Sequence, residues 1–322
     1  MRVADGVHRI EASLGERYVA IYLLVGEDHG LIIDTGVIDS IPSTVEPYLR
    51  AQGIDPAQID HVLSTHCDFD HIGGNGAARE LFPSARFIAH VLDQPWVENV
   101  DLIVEKRYGE FIDEHGYDDV TADEKANIRD FTRTSAVDWC IVGGERLRLE
   151  EGWNVEFVHT PGHSWGSTSV WDPRSGTLFI GDAALGSGLK THDGRPAFPP
   201  TYRYVEAYRA TIDRLSAFRA NILATSHFPL YHGTEAAAFL ALSAAYADRV
   251  ESAVLTALRV AGRPLSTLEI VEDIHPSLGA WPNRKELALT YAVVGHLEWL
   301  AEYGRVEKGH HQTGLASWES TP

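Results

Sequence analysis

Between Ser64 and Gly74 the chain reads Ser-Thr-His-Cys-Asp-Phe-Asp-His-Ile-Gly-Gly, placing His66, Asp68, Asp70 and His71 within six residues. Carboxylates and imidazoles are rarely buried without partners, so packing alone does not explain this density. The apolar run Ile59 to Leu63 before it reads as a buried strand. Gly73-Gly74 turns the backbone into a short helix expected over Ala77 to Leu81. The side chains therefore sit on a strand-to-helix loop, where a rigid scaffold can aim several of them at one point.

Three more strand ends carry similar chemistry. A strand over Asn154 to His159 leads to Thr160-Pro161-Gly162-His163, one over Thr177 to Ile180 to Gly181-Asp182, and Ile222 to Thr225 to Ser226-His227. One such histidine is usually structural, but three strand ends beside the first motif point to a shared metal site. The opening segment supplies strands over Gly6 to Ile10, Tyr18 to Val25 and Leu31 to Asp34, and Arg86 to Ala89 adds another. A helix is expected from Ser40 to Gln52, with Gly53 after its end. Alternating strands and helices favour a layered α/β architecture.

The ordered set Asp34-Thr35-Gly36, His66 to His71, Thr160 to His163, Gly181-Asp182 and Ser226-His227 resembles the metallo-β-lactamase fold superfamily over about residues 5 to 232. The resemblance implies an αββα sandwich with a dinuclear metal site at its edge. One metal would take His66, Asp68 and His163, the other Asp70, His71 and His227, with Asp182 bridging and Asp34 structural. It also implies a hydrolase using a metal-bridging hydroxide, with Asp70 and Asp182 at the chemistry. The bond cleaved would be an ester, thioester, lactone or phosphoester of a small molecule.

Asp68 departs from the usual H-x-H-x-D-H. Two zinc ions are the first expectation, and the carboxylate keeps iron or manganese open. A carboxylate at this place also resembles the superfamily's diiron members, so an iron-dependent, oxygenase-like redox enzyme is the alternative. A binding protein that keeps a metal for structure is a third reading. Cys67, between two proposed ligands, is expected to be a buried, uninvolved thiol.

Residues 91–140 read as a helical insert over the site, and residues 185–202 as a long loop near the metals. Candidate substrate contacts are Trp165, His192, Tyr202 and Tyr231, with Lys190, Arg195 and His232 as further neighbours. Residues 1–232 then form the catalytic domain. Residues 233–322, with helices ending near Gly262, starting at Ser266 and spanning Arg284 to Tyr303, resemble a winged-helix domain.

That segment carries 7 Lys and Arg against 11 Asp and Glu, a balance of 7 − 11 = −4, and the whole chain has a formal net charge of −19. Phosphate backbones need a basic footprint, so nucleic acid is not the expected partner. Packing against the catalytic domain or a second copy in a homodimer is expected instead. With no apolar run of about 18 residues, no visible secretory leader and two cysteines, the expected setting is cytoplasmic, with no membrane partner.

Overall fold

The computed structural model describes residues 1–282, 284–311 and 314–321. Seven strands form the first sheet in chain order: β1 (Arg2–Ala4), β2 (Val7–Leu14), β3 (Arg17–Val25), β4 (Gly30–Ile33), β5 (Ile59–Leu63), β6 (Arg86–His90) and β7 (Trp139–Ile141). Pairing is antiparallel from β1 to β4 and parallel from β4 to β7. The second sheet contains β8 (Arg146–Glu150), β9 (Trp153–His159), β10 (Thr168–Asp172) and β11 (Thr177–Gly181). After the hairpin of β12 (Leu189–Lys190) and β13 (Pro196–Phe198), it adds β14 (Ile222–Thr225) beside β11 and closes with β15 (Tyr231–His232).

The alternation along β3 shows why two layers form. Ala20, Tyr22 and Leu24 face the second sheet, packing with Val155, Phe157, Val170 and Phe179. Val19, Ile21 and Leu23 face outward, beneath Ile41, Val45 and Leu49 of the segment that ends in the helix Glu46–Gln52. A strand buried on both faces needs apolar residues at every position, which β3 supplies. On the outer face of the second sheet, Leu178, Ile180 and Leu223 pack under the helix Val205–Ala217. Helices thus cover both outer faces of the paired sheets.

The C-terminal segment runs as the helix Thr234–Ala261, β16 (Leu265–Ser266), the helices Thr267–Leu278 and Thr290–Glu302, then β17 (Val306–His310) and β18 (Ala316–Ser320). It shares one hydrophobic cluster with the second sheet, reaching from Leu178 to Trp318. The helix expected from Arg284 begins as a turn over Lys285–Leu289 and becomes regular at Thr290.

Two expectations need correction. The helical insert ends before Trp139, because Trp139–Ile141 pairs parallel with β6 and completes the first sheet. The long loop after Asp182 is not structureless, since β12 and β13 pair within it.

Candidate metal centre

The metal-competent side chains gather at strand ends on one edge of the sandwich and on the short turn that follows β5. His66 follows β5, His163 lies between β9 and β10, Asp182 follows β11, and His227 follows β14. Asp70 and His71 lie on a single helical turn, Phe69–Ile72, within the expected loop. A backbone bond from Thr168 N to the Thr65 carbonyl, 2.8 Å, ties the two sheets together behind the site.

Asp34 organises the first motif from beneath. Its φ of +63° is unusual for a residue with a side chain. The carboxylate accepts bonds from Thr65 N (2.7 Å), Thr65 Oγ1 (2.9 Å) and His71 Nδ1 (2.8 Å). It is a structural support, as the resemblance implied.

The same logic fixes the orientation of all four histidines. His71 Nδ1 faces a carboxylate, while His163 and His227 Nδ1 face the carbonyls of Thr201 (3.1 Å) and Tyr18 (2.9 Å). These oxygens only accept, so each Nδ1 carries the proton. Thr65 spends its hydroxyl proton on Asp34, which leaves its lone pair for His66 Nδ1 at 3.1 Å. Every Nε2 therefore faces the centre, where a bound metal would take its lone pair in place of a proton, the arrangement outer partners impose on metal-binding histidines.

Distances agree with a metal on one side of the centre. His71 Nε2 lies 3.3 Å from His227 Nε2, and His227 Nε2 lies 3.4 Å from Asp182 Oδ2 and 3.5 Å from Asp70 Oδ2. Imidazole nitrogens about 2.0–2.1 Å from a tetrahedral zinc sit roughly 3.3 Å from their fellow ligands. His66 Nε2 and Asp182 Oδ1 are buried with no hydrogen-bond partner, a costly state that a cation would relieve. Burial opposes the charge on Asp182, yet His227 and His71 hold its carboxyl far below the usual carboxylate range.

The other side differs. Asp68 Oδ2 is 2.8 Å from His163 Nε2 and 3.5 Å from His66 Nε2. Arg107, which no sequence motif marks, reaches Asp68 with both Nε and Nη2, the latter at 3.0 Å. Burial disfavours the Asp68 charge, and Arg107 together with His163 and His66 more than offsets this, keeping the carboxyl well below its ordinary value. Cys67 points away into an apolar cluster with Ile72, Ala89 and Val97, where burial pushes its thiol well up.

A cavity of about 660 Å³ opens on these residues. Asp68, Asp70, His163, Asp182 and His227 form its floor. Phe69, Val120, Ile128 and Phe131 form an apolar wall, while Arg17, Phe198 and Lys285 stand on another side. The insert and the C-terminal segment therefore both border the entrance.

The expected substrate contacts fall elsewhere. Tyr202 is fully buried, stacked on Tyr208 and bonded to His296, because the chain after β13 dives into the core. Tyr231 stacks on Phe239, and His232 is exposed on the same edge strand. His192, Lys190 and Arg195 belong to the β12–β13 hairpin, where Arg195 pairs with Asp193 at 2.7 Å and His192 lies beside Tyr18. Trp165 is 49% exposed and stacks on Tyr204. None of these side chains lines the cavity among the described residues.

The family model described as the metallo-beta-lactamase superfamily matches residues 14–227, the span that contains every residue of the centre. The chain belongs to that superfamily. Among curated relatives, a hydroxyacylglutathione hydrolase of Aeromonas hydrophila is 26% identical over 178 residues, 55% of this chain and 51% of that protein. A probable metallo-hydrolase of Bacillus subtilis, YqgX, is 25% identical over 173 residues, 53% of this chain and 69% of that protein. The chain spans about half the length of most curated relatives it matches.

Two solved structures share the whole architecture. A metallo-beta-lactamase family protein of Thermus thermophilus aligns with a TM-score of 0.76 at 21% identity, covering 99% of this chain and 100% of that one. A beta-lactamase domain protein of Burkholderia ambifaria aligns with a TM-score of 0.76 at 17% identity, covering 100% and 93%. At these identities the likeness is one of fold.

Proposed function

We propose that the protein is a metal-dependent hydrolase that cleaves an acyl ester, thioester or lactone of a small molecule bearing an anionic group. The observation that carries this reading is the convergence of the His66, His71 and His227 Nε2 atoms on Asp70 and Asp182, with each Nδ1 turned outward to an acceptor. His66, His71, His227, Asp70 and Asp182 would hold the metal, with zinc first in order because imidazole suits it. A divalent ion there supplies a nucleophilic water at neutral pH and a counter-charge for the developing oxyanion.

The chain's own groups supply the rest. Asp182 Oδ1, unpartnered and buried, is placed to accept a hydrogen bond from the attacking water and to orient it. The apolar wall of Phe69, Ile128 and Phe131 fits an acyl chain and excludes bulk water. Arg17 and Lys285 lie 4.9 and 4.8 Å from the Phe198 ring and offer positive charge to an anionic leaving portion. Lys285 is partly neutralised by Glu124 at 3.3 Å, so Arg17 is the stronger anchor.

The names of the hydroxyacylglutathione hydrolase relatives support a thioester as the first substrate class to try. A phosphoester stands behind the acyl bonds, because the wall is mostly apolar. The redox alternative depends on Asp68 as a ligand for a harder ion, and Asp68 is committed to Arg107.

A panel of acyl thioesters, esters and lactones, each with and without a carboxylate on the leaving group, tests the reading. Hydrolysis should disappear on chelation, return with added divalent metal, and favour the carboxylate-bearing member. His227→Ala should lose more activity than the roughly 10- to 100-fold typical of an outer partner. Turnover that survives full metal removal would contradict the proposal.

A further inference from the structure

The metal-dependent reading leaves open how many ions the centre takes. We propose that the Arg107 guanidinium stands in for the metal that His66, Asp68 and His163 would otherwise share, so that the centre binds one ion tightly rather than two.

Arg107 ends a π-helical stretch, Ile103–Arg107, within the insert, a backbone form frequent at functional sites. Its side chain is buried, only 10% exposed. A buried guanidinium is sustained by a partner, and among the described residues Asp68 is its one carboxylate within salt-bridge distance. Both carboxylate oxygens are engaged, in the two-pronged geometry that makes arginine–carboxylate pairs strong.

The guanidinium also reaches the third member of the group. Nη2 lies 3.1 Å from His163 Nε2, and Nη1 lies 3.5 Å from the His163 carbonyl. Arg107 thus engages the outer two of the three residues. Tyr108 Oη, 3.4 Å from Asp68 Oδ1, adds a further donor.

Of the unpartnered atoms, one falls on the opposite side and one lies between the two groups. Asp182 Oδ1 and His66 Nε2 are buried without partners; Asp182 belongs to the His66, His71 and Asp182 group, while His66 belongs both to that group and to the His66, Asp68 and His163 group. The 2.8 Å between His163 Nε2 and Asp68 Oδ2 is shorter than the roughly 3.3 Å edge between ligands of a tetrahedral zinc. One side of the centre therefore lacks a cation, while the other already has one.

Charge supports the same division. Asp68, Asp70 and Asp182 with Arg107 and one divalent ion sum to zero, whereas a second divalent ion in place of Arg107 would leave +1 in a buried site. Asp68 is then explained as the counter-ion of Arg107. An imidazole in its place would face the guanidinium without compensating charge.

Metal content measured on the full chain tests this. The purified protein is saturated with zinc, freed of loosely held ion by gel filtration, and analysed by mass spectrometry for metal per chain. Wild type should hold one zinc, and folded Arg107→Leu, with Asp68 and His163 released, should hold two. Arg107→Lys, which keeps the charge, should stay near one. Two zinc ions in wild type, or one in a folded Arg107→Leu, would overturn the proposal. Should Arg107→Leu fail to fold, the wild-type count decides alone. A chain that binds no zinc would overturn the metal-dependent reading as well, so the two failures are distinguishable.

Discussion

At the residue scale, the centre is held by the atoms behind the ligands as much as by the ligands themselves. Asp34 binds Thr65 and His71 at once, and Thr65 passes the constraint to His66. Asp34→Ala should therefore loosen two histidines without removing any ligand. Zinc affinity, read by competitive titration, should weaken about 10- to 100-fold, and an unchanged affinity would refute this role. The residues of the first motif, His163, Asp182 and His227 were legible in the sequence because they follow strands in a recurring order. Arg107 was not, since it stands 39 residues from Asp68 in an insert with no motif of its own. Reading Asp68 as a ligand treats the motif as complete, although a carboxylate can equally answer to a cation supplied by distant chain.

At the element scale, the strands that enter the sandwich were readable because both faces are apolar, and β5 over Ile59–Leu63 matches its expected span. Short elements defined by their partners were not. β7, β12, β13 and β16 are two or three residues long, and pairing rather than pattern creates them. Tyr202 reads as a loop residue because Gly and Pro precede it, but its stack with Tyr208 lies inside the core. The insert itself was expected, and its seam with the C-terminal segment depends on the helix Thr290–Glu302. From that helix Tyr291 Oη donates to Asp119 Oδ2 at 3.1 Å and lies 3.4 Å from the Arg107 carbonyl, with Phe111 packed edge-on against its ring. Tyr291→Phe keeps the ring and deletes the hydroxyl. Because Asp119 is then left with one donor fewer, the expected loss is about 1–3 kcal/mol, read from denaturant unfolding. No measurable change would show that this seam does not depend on the hydroxyl.

At the scale of the whole molecule, the C-terminal segment and the second sheet share one core, so acid should act on them together. His296 is buried beneath Tyr202, and burial brings its imidazole down to about 3. His115 sits between the insert and the C-terminal segment, bonded to Thr267, and burial lowers it to about 4. An unfolded histidine takes its proton near pH ~6.5. Below that pH the unfolded chain gains protons that the folded chain refuses, so stability is full above about 6.5 and declines toward pH 4 and below. Thermal midpoints should fall steadily between neutral pH and the acid range, and His115→Gln should flatten part of that slope. A midpoint constant across this range would refute the assignment.

Centrally, His66, His71, His227, Asp70 and Asp182 are proposed to hold a metal beside an arginine-paired Asp68. Anomalous diffraction from zinc-loaded crystals tests this most directly. One strong peak is expected about 2.0–2.1 Å from His71 and His227 Nε2, with Arg107 still on Asp68. A peak of equal strength among His66, Asp68 and His163, with Arg107 displaced, would contradict it, as would the absence of any peak beside His71 and His227.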